Sequence, residues 1–556
     1  MLFPNNTLFR SNTMKRSLFA ALAAGAFLAL SAVHVSAQDD AEQYKDLKPA
    51  KYVFLFIGDG MSLPQRMLAE EFSRSTMGKG LTINSMPQQS YSKTSSLTNF
   101  ITDSAASGTA IACGEKTNNG RIGMDSEGKR KLESVAEVAK KQGRSVGILT
   151  SITINHATPA SFYAHNESRD NYYDIGMDLV NSGFDYFGGG GLQNNRGGDA
   201  DLYKIAESKG YTVAYKDEVP KVDLKAADKL FVRGHNGALP NAIDKPADEW
   251  GLAEYTQQCI DFLMLKNKPF FVMVEGGNID HHGHANDAGA SLRETMEMDR
   301  AVTVIMDFAR KHPDDTLVVV TGDHETGGLT LGFANTEYES SIYLLGNQKC
   351  SSDEFKNRVN RFADSILGSA RGGFPGMGGF PGRQQENQQN QENQEPKEEK
   401  TIKFDDIKPL ITENFGLIFD KYPGAKQPEG AAQVAETKPV EEVKVNLRTK
   451  DQEARERNRL SLVLTKSEQD RIEDAFNRQF PNGKRGGFGG GGRDAVANTV
   501  VAIFDNKCSV GWTSGAHTAL PVDTSAYGVN SNIFSGMYEN SDIAKKLKAI
   551  VSVPVK

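Results

Sequence analysis

Short runs of apolar residues recur along the chain, and each stops where potential ligands begin. Residues 51–57 (KYVFLFI) end at Gly58-Asp59-Gly60. Residues 145–150, 269–274 and 316–321 repeat the pattern, the last two running into Glu275 and into Gly322-Asp323-His324. Apolar runs this short, bounded by glycine and polar residues, predict strands buried on both faces. Between them, 131–142 and 292–311 space their apolar residues as amphipathic helices do. Strands alternating with helices predict an α/β fold: a three-layer α/β/α sandwich with a mostly parallel central sheet. Sites in such sheets collect beyond the carboxyl ends of the strands, which is where these polar clusters fall.

The pattern breaks over 352–493. Residues 372–383 are rich in Gly, Pro and Phe, 384–400 are Gln, Asn, Glu and Lys with almost no apolar residue, and 485–493 are glycine-rich. Such segments bury too little apolar surface to offset the entropy of ordering. Helices are predicted between them at 407–419 and 460–480. The region reads as an inserted helical and partly disordered segment, and the simplest expectation is a surface decoration. Globular texture returns at 494, with a helix predicted at 496–504, a strand at 522–527 and a closing helix at 541–550. The core is therefore split in sequence, 38–351 and 494–556, around the insertion.

The N-terminus changes the picture of where the chain works. Lys15 and Arg16 precede an apolar, small-residue run, and Val35-Ser36-Ala37 forms a cleavage-type site. Residues 1–37 read as a signal peptide, with Met1 or Met14 as its start. The expectation is an exported protein, periplasmic or secreted, with no membrane attachment once the signal is cleaved. Export makes disulfides among Cys113, Cys259, Cys350 and Cys508 one reading. Unpaired buried thiols are an equal one, and no two of the four have metal-knuckle spacing. A formal net charge of -7 argues against broad affinity for nucleic acid, which wants a basic face.

Chemistry concentrates in a few segments. Asp103-Ser104 precedes the small-residue stretch 105–110, which suits a helix start; Ser104 there would meet backbone N–H groups that favour negative charge. Taken alone, an Asp-Ser pair starts many ordinary helices as a cap. Asp59 supplies a carboxylate at a strand end. His156 and Thr158 bring an imidazole and a hydroxyl, with Arg169 shortly after. The segment 275–284 holds Glu275, Asp280, His281, His282 and His284; Asp323-His324 and His517 complete the set. Carboxylates with imidazoles suit zinc, and hydroxyl and carboxylate oxygens alone suit magnesium.

Together these segments resemble the alkaline phosphatase family. The motifs are FIGDGM at 56–61, TDSAASGTA at 102–110, HATPASFYAH at 156–165 with Arg169, VEGGNIDHHGH at 274–284, TGDHETGG at 321–328 and SGAHTALPV at 514–522. They stand in the family's order and are highly specific, with the match poor only over the insertion. The resemblance implies a metal-dependent phosphomonoesterase acting on small-molecule phosphate monoesters through a phosphoserine at Ser104. It implies one Zn2+ held by Asp280, His284 and His517, and another by Asp59, Asp323 and His324 beside Ser104. It implies a third metal, normally Mg2+, on Asp59, Thr158 and Glu275, and phosphoryl oxygens gripped by Arg169, which Asp103 holds in place. His156 and His281 stand where some members carry aspartate and lysine. That exchange weakens the case for magnesium, and both histidines are placed just outside the ligand set. The family is often dimeric, so a homodimer is an expectation of the resemblance alone. The rival readings are a phosphodiesterase of the same superfamily and a non-catalytic metal- or phosphate-binding protein.

Overall fold

The computed structural model describes residues 44–198, 200–234, 237–334, 336, 338, 340–368, 400–419, 461–485 and 494–555. The expected signal peptide, the 372–383 stretch and nearly all of the two other low-complexity stretches lie outside the described residues.

A 10-stranded sheet organises the chain. Its strands are β1 (Tyr52–Gly58), β2 (Gln88–Lys93), β3 (Ser145–Thr150), β4 (Tyr186–Gly189), β5 (Tyr211–Tyr215), β6 (Lys229–Arg233), β7 (Phe270–Gly276), β8 (Thr316–Gly322), β9 (Val522–Gly528) and β10 (Met537–Glu539). The order is β10-β2-β9-β8-β1-β7-β3-β4-β6-β5. Only β9 runs against its neighbours β8 and β2; every other pairing is parallel. The mostly parallel sheet expected from the alternation of apolar runs is present, and the four runs are its central strands β8, β1, β7 and β3.

Burial on both sides follows from the period-two geometry of a strand. In β1, Val53, Leu55 and Ile57 face one apolar cluster, while Tyr52, Phe54 and Phe56 face another. The first cluster is covered by helices Ser104–Cys113, Val135–Lys141, Tyr172–Asn181 and Asn540–Val551. The second is covered by Leu252–Leu265 and Ala288–Lys311. Helix, sheet and helix make the three layers. Local signals correct two helix starts. Ser134 and Glu137 form a capping box, so that helix begins at Val135 rather than 131. Asp287 accepts from Ala290 N at 3.0 Å, so the long helix begins at Ala288 rather than 292.

The described part of the insertion is not a surface decoration. Helices Ser352–Leu367, Phe404–Phe415 and Lys466–Gln479 place Phe355, Phe415 and Phe476 in a third apolar cluster with Leu68 and with Phe504 of the Ala495–Lys507 helix. Phe415 is fully buried, with its ring 4.9 Å from Phe355 and 5.3 Å from Phe504. Burial shared among helices far apart in the chain hid this core from the sequence. Truncating Phe415 to Ala should therefore cost ~3–5 kcal/mol of stability, the range for a deleted core aromatic. Chemical denaturation checks this; a loss within ~0.5 kcal/mol would mean the inserted helices are only loosely attached.

All four cysteines are free and buried. Cys113 and Cys259 sit in clusters on opposite faces of the sheet, and Cys350 and Cys508 share the third. Of the two readings left open, the unpaired thiols are the one present. Among the described residues no helix is long and apolar enough to cross a membrane.

Candidate metal centre

The site is built by strand register. Gly58 of β1 pairs with both Gly322 of β8 and Gly276 of β7, so three parallel strands end level. Asp59 and Asp323 follow directly, side by side at the carboxyl edge. Gly322 is required here: a Cβ on it would lie 1.9 Å from Met61 O. Glu275 pairs with Thr150 of β3 across the ladder, and the Thr150 hydroxyl donates to Glu275 Oε2.

Among the described residues, carboxylates and imidazoles converge in three groups whose ligating atoms lie within 4.8 Å of one another: Asp280, His284 and His517; Asp59, Asp323 and His324; and Asp59, His156 and Glu275. In the first, His284 Nε2 and His517 Nε2 are 3.5 Å and 3.4 Å from oxygens of Asp280, and 3.1 Å from each other. Each ring faces a backbone carbonyl with its other nitrogen: His284 Nδ1 lies 2.9 Å from Gly515 O, and His517 Nδ1 lies 2.8 Å from Thr102 O. A carbonyl only accepts, so Nδ1–H donates in both rings. Both Nε2 lone pairs are thereby turned toward each other and toward Asp280, which suits a shared cation.

The second group is wholly buried. His324 Nε2 stands 3.4 Å from Asp59 Oδ1 and 3.4 Å from Asp323 Oδ2. Asp323 Oδ1 accepts from Gly60 N at 3.1 Å and His324 N at 2.9 Å. Asp59 Oδ1, Asp323 Oδ2 and, in the third group, Glu275 Oε1 are buried without a hydrogen-bond partner among the described residues. Such atoms are costly to bury unless something positive satisfies them. The donor set therefore fits divalent cations: nitrogen and oxygen for two of the groups, and mainly oxygen for the third.

Ser104 opens the Ser104–Cys113 helix. Asp103 is its N-cap, accepting from Ala106 N at 3.0 Å, so the cap is made by the carboxylate and the serine hydroxyl is left for other work. Ser104 Oγ lies 3.2 Å from His324 Nε2. Gly108 lets this helix approach the Ala157–Ala160 turn, since a Cβ there would sit 2.9 Å from Ser161 Oγ. Asp103 Oδ2 accepts from Arg169 Nη1 at 3.1 Å, and Arg169 Nη2 stands 3.0 Å from His156 Nε2. Thr158 Oγ1 donates to Asp59 Oδ2 at 3.3 Å. The structure thus brings Asp59, Asp103, Ser104, Thr158, Arg169, Glu275, Asp280, His284, Asp323, His324 and His517 to one place.

The field inside explains the titration of these groups. Burial first, then the charges of Asp323, Asp280 and Glu275, holds the Asp59 carboxyl well above its ordinary range. Burial likewise pushes Glu275 up to about 8 and Asp323 up to about 7. Burial also opposes ionisation of Asp280, but where no cation is bound and His517 takes a second proton on Nε2, its hydrogen bond and the charges of the neighbouring imidazoles outweigh burial and hold that carboxyl far below. A dication would relieve this congestion of acids.

The remaining histidines separate cleanly. His156 is driven down to about 3 by burial, with Arg169 adding to the effect. Arg169 is always a donor, so His156 Nε2 accepts and the neutral ring carries its proton on Nδ1, which is buried without a hydrogen-bond partner among the described residues. His281 is exposed, its ring 6.3 Å from that of His156. His165 is tied to Gly123 O and Glu137, and His282 is buried 3.9 Å from Glu294. Sequence reasoning missed Thr150, Glu325 and Thr326. Thr326 Oγ1 donates to Asp280 Oδ1 at 2.5 Å and lies 3.3 Å from His324 Nδ1, linking two of the groups. Only its place inside the 321–328 motif could have pointed to it.

An α/β/α sheet whose carboxyl edge joins cation-binding clusters to a helix-opening serine defines a class of metal-dependent enzymes. This chain belongs to the alkaline phosphatase family, whose sequence profile matches residues 50–186 and 190–406. It is 29% identical over 522 residues to alkaline phosphatase 4 of Bacillus subtilis, covering 90% of this chain and 88% of that one. It is 29% identical over 383 residues to the alkaline phosphatase of Escherichia coli, covering 57% of this chain and 81% of the other. A cold-active alkaline phosphatase from Shewanella shares the fold, with a TM-score of 0.65 at 24% identity, covering 90% of this chain and 99% of that one. Membership brings metal dependence and small-molecule phosphate esters as substrates.

Proposed function

We propose that this chain hydrolyses phosphate monoesters of broad identity through a phosphoserine on Ser104. Zn2+ would be held by Asp280, His284 and His517 and by Asp59, Asp323 and His324, and Mg2+ by Asp59, Thr158 and Glu275. The observation that carries the reading is Ser104 Oγ, 3.2 Å from His324 Nε2 inside a cage of acids and imidazoles. Bound divalent cations supply the positive charge that stabilises attacking and leaving oxygens in an in-line phosphoryl transfer. The chain's own residues do the rest. The first turn of the Ser104–Cys113 helix offers N–H dipoles to the phosphoryl group at the nucleophile. Arg169, oriented by Asp103, presents a planar fork that matches two phosphoryl oxygens. His284 is the most open of the candidate ligands, its side chain 41% exposed against none for His324, so the ester's organic part enters from the His284 side. His156, with its proton on Nδ1, supports a place beside the third group's carboxylates rather than on its metal. The 1–37 segment supports export, to periplasm or medium. Hydrolysis of p-nitrophenyl phosphate should exceed that of its bis-ester; preference for the diester would overturn the reading.

A further inference from the structure

One buried acid at the site belongs to none of the three groups. Glu325 is fully buried, adjoins His324 and has no cationic partner within salt-bridge distance among the described residues. Its carboxylate accepts four hydrogen bonds. Gln65 Nε2 at 2.7 Å and Leu329 N at 3.1 Å reach Oε1; Gly328 N at 3.0 Å and the Thr518 hydroxyl reach Oε2. These donors come from the helix after β1, from the turn after Glu325 and from the strand that carries His517. The last is the informative one. Glu325–Thr326 and His517–Thr518 form a two-stranded antiparallel ladder, with Glu325 opposite Thr518 and Thr326 opposite His517. Gly327 N donates to Ala516 O at 3.0 Å beside it. His517 arrives from the far side of the insertion, so local sequence does not place it; this ladder does, together with Thr513 N and Ser514 N, which donate to Gly327 O at 3.1 and 3.0 Å, and Thr102 O, 2.8 Å from the ring's Nδ1. A ladder of two residues per strand is marginal by itself. The Glu325 side chain adds the one link from that carboxylate hub to the arriving strand.

We infer that Glu325 is a positioning residue that delivers His517 to the Asp280–His284 group, acting through Thr518. This rests on the reading of Asp280, His284 and His517 as metal ligands. The choice of glutamate over glutamine follows from the partners. Both oxygens must accept, and each faces one backbone N–H that cannot turn away. An amide NH2 in either orientation would leave Leu329 N–H or Gly328 N–H unsatisfied, and an unmade buried hydrogen bond strains the whole turn.

The test is titration of the metal-free protein with Zn2+ against a chromophoric chelator, resolving the binding steps, with far-UV circular dichroism as the check on folding. His517→Ala identifies the step that belongs to the first group. Glu325→Gln and, as the milder variant, Thr518→Val should weaken that same step by ~10–100-fold, the usual effect of losing a ligand's support, and leave the other steps in place. Thr518→Ser should restore it. If His517→Ala removes a step that Glu325→Gln and Thr518→Val leave unchanged, or if both weaken every step equally, the inference about Glu325 is wrong and the ligand reading stands. If His517→Ala changes no step, the ligand reading itself fails.

Discussion

Replacing Ser104 by Ala should abolish turnover while leaving the protein folded and metal-loaded. The reason lies in what the hydroxyl does and does not hold. Ser104 is 1% exposed and occupies the first position of its helix, yet the cap is made by Asp103. Among the described residues its oxygen has one hydrogen-bond partner, His324 Nε2. Alanine is a better helix former than serine, so the backbone loses nothing. The lost hydroxyl is the proposed acceptor of the phosphoryl group, and removing a nucleophile from a covalent mechanism costs roughly 10⁴–10⁶ in kcat. Steady-state kinetics on p-nitrophenyl phosphate, run beside metal content and a thermal melt, measure this. Mass spectrometry of acid-quenched protein should find a phosphoserine at 104 in the parent and none in the variant. Turnover within tenfold of the parent would remove Ser104 from the mechanism.

The sequence made the centre of the sheet legible and its edges obscure, for a physical reason. β1, β3, β7 and β8 are buried on both faces and read as continuous apolar runs. β2 is QQSYSK and β4 is YFGG, short and polar or glycine-rich, with no run to announce them. They are fixed by their neighbours, β2 between β9 and β10 and β4 between β3 and β6, which is a tertiary cause. The site followed the same rule. Asp59, Glu275 and Asp323 were readable because each terminates an apolar run. His517 was a weak candidate by itself and took a definite role only through the resemblance, since its place depends on the ladder with Glu325–Thr326. The carbonyls that orient the rings, Gly515 O and Thr102 O, carry no residue identity at all. The insertion hid its core for another reason: burial there is shared among helices far apart in the chain.

Asp59→Asn should produce the other large effect, and its sign should reverse with metal. Asp59 is the one residue in two of the three groups. Asn keeps its shape, removes its charge and places an NH2 where both oxygens now face ligands or hydroxyls. Metal content should fall by about two ions per chain, and kcat by at least ~10³, because several kcal/mol of transition-state charge stabilisation go with each ion. Stability should move the opposite way in the metal-free state. There Asp59 is a buried carboxyl crowded by Asp323, Asp280 and Glu275, with Oδ1 unpartnered. With the folded-state pKa raised, the group's contribution is fully present below the unfolded value and is lost as pH rises from there through the folded value. At pH 8 the metal-free variant should therefore melt above the metal-free parent. On adding Zn2+ and Mg2+ the order should invert, because the parent gains RT ln(1 + [L]/Kd) at sites the variant no longer forms. Melting curves with and without metal give both halves of the result. A variant that melts below the parent in both states would show that Asp59 supports the fold by itself, and that the acids at this sheet edge are not assembled around cations.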